Sequence, residues 1–81
     1  MNFAELTEML IKNLVKNPDS VSVKQFDMDE DFITVEVLVN EDDMGVVIGK
    51  NGATAKSIRT IVQAVSYAKN SKKVRINIDS I

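Results

Sequence analysis

Gly49-Lys50-Asn51-Gly52 is the stretch of this chain whose residue types and spacing point most directly to chemistry. Glycine reaches backbone conformations closed to other residues and lets another chain approach closely. A tight turn that feeds a helix N-terminus presents unpaired N–H groups to an anion, and Lys50 adds a full positive charge. One phosphate, or a short run of phosphate backbone, suits such a turn. Other chemistries find little support. Cysteine and histidine are both absent, which removes thiolate metal clusters, the commonest metal ligand and the commonest general base. Asp27, Asp29 and Asp31 have the spacing that opens a calcium loop, but its sixth position would be Phe32 rather than glycine and its twelfth Leu38 rather than glutamate. There is no GxxxxGK(S/T) phosphate loop and no GxGxxG fingerprint, and the serines and threonines have no histidine base. The residues therefore read as a non-catalytic module with no cofactor and no metal.

The charges are unevenly distributed. Residues 1–43 carry three lysines against eleven carboxylates, a net of −8, whereas residues 44–81 carry seven cations against Asp79 alone, a net of +6. The basic half contains the glycine turn and suits an anionic partner; the acidic half reads as a solvated face that repels one. Eighty-one residues make one small domain, 44% hydrophobic and 27% charged, as expected of a folded soluble chain. The N-terminal stretch has no basic region, and Glu5 and Glu8 interrupt its apolar positions, so it does not read as a secretion signal. Apolar runs stop at three residues, far short of a membrane span. A cysteine-free chain with neither feature is expected in the cytoplasm.

Around the turn, the pattern predicts six elements. An amphipathic helix from about Phe3 to Lys16 has Asn2 and Glu5 at capping-box spacing, with Phe3, Leu6, Leu10 and Leu14 on one stripe flanked by Ile11 and Val15. Pro18 ends it. Strands are expected from Ser20 to about Asp27 and from Phe32 to Val39, paired as an antiparallel hairpin. Asn40 to Asp43 stops the second strand and suits a helix N-terminus, so a short helix runs to Ile48 and a longer one from about Ala53 to Lys69. Ala55, Ile58, Ile61, Val62, Val65 and Ala68 fall on one arc of the longer helix, with Lys56, Arg59 and Gln63 opposite. Asn70 to Lys73 reads as a loop, and Val74, Ile76 and Ile78 alternate as a closing strand. The crossover through two helices favours a parallel pairing of the second and third strands. The fold class is α+β, in the order α-β-β-α-α-β, with three helices on one face of a three-stranded mixed sheet.

A bare GxxG arises by chance about 0.4 times in a chain of this length, so its context carries the inference. The stretch from Val47 to Arg59, VIGKNGATAKSIR, resembles the GxxG motif of bacterial K-homology (KH) domains, and the element order is similar to the type II form of that fold. The resemblance covers the whole chain, a single type II KH domain over residues 1–81, and is closest in kind to the small single-domain KH proteins of the KhpA family. It implies single-stranded RNA binding, with a role as an RNA chaperone or post-transcriptional regulator. It also implies links to cell-length and cell-wall control, and a homodimer or a heterodimer with a larger KH-containing protein of the KhpB, Jag or EloR type. Carried over, Gly49, Lys50, Asn51 and Gly52 would hold phosphates, and Val47, Ile48 and Ile58 would line an apolar groove. Lys56 and Arg59 would attract the backbone from the second helix, with Lys72, Lys73 and Arg75 as the far rim.

Each of these residues also has a plainer reading. The apolar ones could be core, the helix cations a solvated face, and the strand cations guards of a sheet edge. Tyr67 reads as a surface residue, and 5% aromatics makes an aromatic base-stacking platform unexpected. Ala53 and Val46 stand where relatives often carry cations, which predicts weaker binding and motivates a second reading, a protein-interaction adaptor with little RNA affinity. Ile61 and Ala68, at one border of the apolar arc, mark the expected dimer edge.

Overall fold

The computed structural model describes residues 2–69 and 71–81; Asn70, which the pattern assigns to a loop, lies outside them. Helix α1 (Phe3–Lys12) leads to strands β1 (Ser22–Phe26) and β2 (Phe32–Val39), then helices α2 (Met44–Ile48) and α3 (Ala53–Ala68), and finally strand β3 (Lys73–Ser80). The sheet order is β1-β2-β3: β1 pairs antiparallel with β2, and β3 pairs parallel with it over eight residue pairs, from Phe32 with Lys73 to Val39 with Ser80. The expected element order and both strand pairings are what the structure has. No helix among the described residues is long and apolar enough to cross a membrane.

Alternation along β2 builds the core. Ile33, Val35, Val37 and Val39 are all buried on the helix side, where they meet Phe3 and Ile11 of α1, Val47 of α2, Ile58 and Val62 of α3 and Ile76 of β3. Fully burying an aliphatic side chain of this kind contributes about 1.5–3 kcal/mol. The opposite face of the sheet carries no helix.

Two boundaries and one buried face differ from the sequence pattern, each for a physical reason. Helix α1 stops at Lys12, not Lys16. The Asn13 carboxamide donates back to the Met9 carbonyl at 2.7 Å, and the backbone N–H groups of Lys16 and Asn17 bond to Asp43 instead of continuing the ladder. Leu14 is therefore exposed rather than on the buried stripe, and Thr7 takes an inward position, its hydroxyl satisfied by the Phe3 carbonyl at 2.7 Å. Strand β1 starts at Ser22 because Pro18–Ser20 forms a single 3-10 turn. On α3, Ser66 rather than Ile61 or Ala68 completes the buried face with Ala55, Ile58 and Val62; its hydroxyl donates to the Lys72 carbonyl. The Asn2 side chain caps α1 as expected, accepting the Glu5 N–H at 2.7 Å.

The acidic half is not uniformly a solvated face, because Asp43 is buried. Its carboxylate accepts the N–H of Lys16 at 3.0 Å and, on the other oxygen, the N–H and side-chain amide of Asn17, each at 3.1 Å. Asp43 directly precedes α2, so these bonds tie the chain leaving α1 to the start of the glycine-turn region. Burial pushes the Asp43 pKa up, but the backbone bond from Lys16, the Asn17 side chain and backbone, and the Lys16 charge outweigh it and hold the carboxyl below its ordinary value of 3.8. A depressed folded-state pKa stabilises the fold above the unfolded value, and that contribution is lost as pH falls through the folded one. Asp43→Asn is thus expected to lower the urea midpoint at neutral pH, and the gap from wild type should narrow below about pH 4. Denaturation curves of both proteins at the two pH values check this; a gap that stays constant would remove the charge from the account.

Candidate nucleic-acid interface

The turn between α2 and α3 has three positive-φ residues in four positions. Gly49 lies at φ 77°, ψ 171°, Asn51 at φ 57°, ψ 26°, and Gly52 at φ 76°, ψ 11°. The first conformation is essentially restricted to glycine, and the other two are left-handed positions that glycine and asparagine tolerate best. Each residue type of the motif except Lys50 is therefore accounted for by backbone geometry. Backbone bonds from Gly49 N–H to the Gly45 carbonyl (2.9 Å) and from Gly52 N–H to the Gly49 carbonyl (3.1 Å) close the turn. Lys50 and Asn51 project into solvent at its tip. Gly52 has no side chain to cap α3, so the first turn of that helix receives no side-chain cap.

The cations fall into two groups. Lys50, Lys56 and Arg59 are exposed and, among the described residues, form no ion pair. Lys56 and Arg59 lie on the same flank of α3 as Gln63, whose side-chain oxygen accepts the Val74 N–H of β3 at 2.9 Å, so this flank overlooks the free edge of β3. The strand-side cations are arranged differently. Lys72 is bound to Asp27 at 2.5 Å and to the Asp29 carbonyl at 2.9 Å, and the Arg75 guanidinium sits 4.2 Å from the centre of the Phe32 ring. Lys73 is exposed at the start of β3. Lys73 and Arg75 project from the uncovered face of the sheet, whereas Lys50, Lys56 and Arg59 stand on the helix side.

The apolar residues also divide. Val47 is fully buried and Ile58 is 4% exposed, both within the core, while Ile48 is partly exposed beside the turn. The apolar surface on these helices comes instead from Val46 and Ile61, 46% and 45% exposed. The sequence marks Val46 for its missing charge and not as exposed apolar surface, because three consecutive apolar residues on a short helix give no period from which to choose the outward one. The Gln63 contact with β3 was likewise not legible, since it depends on how α3 lies across the sheet.

The two glycines have different tolerances. A Cβ on Gly49 would sit 2.7 Å from the Thr54 Cβ and 2.8 Å from the Thr54 backbone nitrogen, whereas one on Gly52 would meet nothing within 4 Å. Gly52→Ala should cost about 1 kcal/mol through backbone strain alone. Gly49→Ala should cost more than about 2 kcal/mol, because the junction with α3 must also open. Urea denaturation of the two variants measures the difference, and equal losses would contradict this geometry.

Comparison with known proteins agrees with the fold and the motif. A family model described as the KH domain of KhpA/KhpB matches residues 4–78. The RNA-binding protein KhpA of Clostridium perfringens is 44% identical over 70 residues, which span 86% of this chain and 92% of that protein. KhpA of Thermotoga maritima is 39% identical over 74 residues, 91% of this chain and 95% of the relative. Among solved structures, Aquifex aeolicus Era bound to GDP and AlF4− aligns with a TM-score of 0.76 at 19% identity, a likeness of fold that covers 98% of this chain and 30% of Era. With the α-β-β-α-α-β order and the glycine turn already in place, the family match over residues 4–78 settles the assignment: the chain belongs to the KhpA/KhpB KH-domain family.

Proposed function

We propose that this protein binds single-stranded RNA without catalysis, holding the phosphate backbone at Gly49-Lys50-Asn51-Gly52 and drawing it along α3 with Lys56 and Arg59. The observation that carries the reading is the turn itself: backbone that only this residue pattern adopts readily, at the uncapped start of a helix, beside three cations with no ion pair among the described residues. The relatives' name, RNA-binding protein KhpA, supports it. Beside the turn, Ile48 supplies apolar contact for bases, with Val47 and Ile58 supporting it from the core. The free edge of β3 faces the same flank of α3. Of the far-rim cations, Lys73 and Arg75 are the available pair, because Lys72 is engaged by Asp27.

One small site makes few contacts, so useful affinity calls for a second site on a partner. A homodimer, or a heterodimer with a larger KH-containing protein of the KhpB, Jag or EloR type, would supply it. A chaperone or post-transcriptional role in the cytoplasm, linked to cell length and cell wall, follows the family resemblance. Exposed Ile61 on α3 marks the dimer edge. A second reading, a protein adaptor with little RNA affinity, is favoured by the uncharged Ala53 and the exposed apolar Val46 beside the turn.

Two measurements test these readings. In fluorescence anisotropy with labelled single-stranded RNA, the wild type should bind with a log-log salt slope near −2, about −0.7 for each of three cations. The Lys50→Asp, Asn51→Asp double variant should lose that binding while circular dichroism stays native, since aspartate also tolerates the left-handed position. Equal binding by the two proteins would move RNA away from the turn, and no binding by either would favour the adaptor. Separately, Ile61→Asp should reduce the mass seen by light scattering from dimer to monomer; an unchanged mass removes Ile61 from the interface.

A further inference from the structure

The face of the sheet that no helix covers is the strongest feature the reading above leaves unused. Two of the chain's three phenylalanines lie on it, although a helix-side core was available, where Phe3 is buried. The register sets their neighbours. Phe26 of β1 pairs with Thr34 of β2, which pairs with Arg75 of β3, and in the adjacent row Phe32 pairs with Lys73. Phe26 and Phe32 are thus diagonal neighbours on one face, within the reach of aromatic side chains. Phe26 is 44% exposed, and Arg75 lies over Phe32 with its guanidinium carbon 4.2 Å from the ring centre. The patch offers one open ring and one arginine–ring stack, the two kinds of surface on which unpaired bases stack.

Charge around the patch favours an anion on its β3 side. Lys73 has no ion pair among the described residues. Of the nearby carboxylates, Asp27 is ion-paired with Lys72 at 2.5 Å; Glu36 keeps its charge, accepting from the Asn77 side chain at 3.1 Å and sitting opposite Lys24 in the register, and Asp79 lies at the far end of β3 from Lys73. Asp29, Glu30 and Asp31, in the β1–β2 connection, bound the patch at its other end and would turn a nucleic acid back towards Lys24 and β3. Strand β3 also joins the two surfaces. Its free edge faces the Lys56, Arg59 and Gln63 flank of α3, and its Lys73 and Arg75 side chains project from the uncovered face. Lys73 and Arg75 lie towards the C-terminal end of α3, so a strand drawn from the turn along the Lys56, Arg59 and Gln63 flank crosses that edge beside Val74, meets Lys73 and Arg75 there, and then the rings.

We propose that the uncovered sheet face is a second contact for single-stranded RNA, in which Phe26 and the Arg75–Phe32 stack hold bases of the strand that leaves the glycine-turn site, and Lys73 holds its phosphate. The inference rests on RNA binding at the turn. Its consequence is a length dependence: an RNA of about five nucleotides fills the turn site alone, and one of about twelve also reaches the rings.

The test is anisotropy with labelled oligo(U) of both lengths, using the full chain and the variants Phe26→Ala, Phe26→Leu and Phe26→Trp. Phe26 lies outside the turn site, so all four proteins should bind the short RNA equally, which also reports that the variants are folded. For the long RNA, Phe26→Ala and Phe26→Leu should each lose about tenfold, the worth of one stacked base, while Phe26→Trp retains wild-type affinity. Leucine preserves apolar area without a ring, so its failure to rescue identifies stacking. Equal long-RNA affinity across the four proteins, with the short RNA still bound, overturns the second contact alone and leaves this face to a protein partner. Loss of short-RNA binding by the wild type overturns the turn site and this inference with it.

Discussion

The parallel pairing of β2 with β3 is the constraint on which the rest of the structure depends. Parallel neighbours cannot be joined by a tight turn, so the chain must leave the far end of β2, return along the sheet and re-enter at β3. That return is made by α2, the Gly49–Gly52 turn and α3. A single straight helix would present its polar flank to solvent along its whole length. Breaking the return into a five-residue helix and a sixteen-residue one creates a corner beside the first turn of α3, which receives no side-chain cap. The glycine turn is thus the bend at which the crossover changes helix, given residues that make it tight. Gly49 permits the closest approach, with Thr54 filling the space that a side chain would need.

Much of this was legible in the sequence because the periods are strong. Ile33, Val35, Val37 and Val39 repeat every second residue, and all four are buried. The glycine turn was legible for the same kind of reason, since two glycines and an asparagine in four positions leave few alternatives to positive φ. Losses occur where local pattern competes with a distant partner. The end of α1 depends on Asp43, which lies 27 residues from Lys16 and captures the N–H groups that would have extended the helix. Nothing local to residues 13–17 announces that capture, and Asp43 itself reads as one more acid in an acidic run. Thr7 and Ser66 are missed for a related reason: a hydroxyl bonded to a carbonyl can occupy a buried position that a hydropathy pattern reserves for leucine or isoleucine.

The same competition decides which apolar residues remain available for function. Val47 and Ile58 flank the turn in sequence, but both are committed to the core, Val47 as the one buried residue of the short α2. Neighbouring Val46 is left outside, and on α3 the buried face runs through Ala55, Ile58, Val62 and Ser66 and leaves Ile61 exposed. Exposed apolar surface therefore follows from how the helices seat on β2, and it lies beside the turn without being part of it. This separation gives a small domain two independent surfaces on one pair of helices, one polar and cationic, the other apolar.

Charge separation follows from the order of the elements. The acidic residues precede α2 and the basic ones follow it, yet β1, β2 and β3 lie side by side, so the sheet brings the halves into contact. Where they meet, local pairing settles the sign: Lys72 is neutralised by Asp27, whereas Lys73, one residue later, has no ion pair among the described residues. Lys72 precedes β3 and reaches Asp27, just past the end of β1, whereas Lys73 opens the strand and is exposed on the uncovered face. The availability of cations in this domain is thus governed by which carboxylate each side chain reaches in the fold as much as by composition.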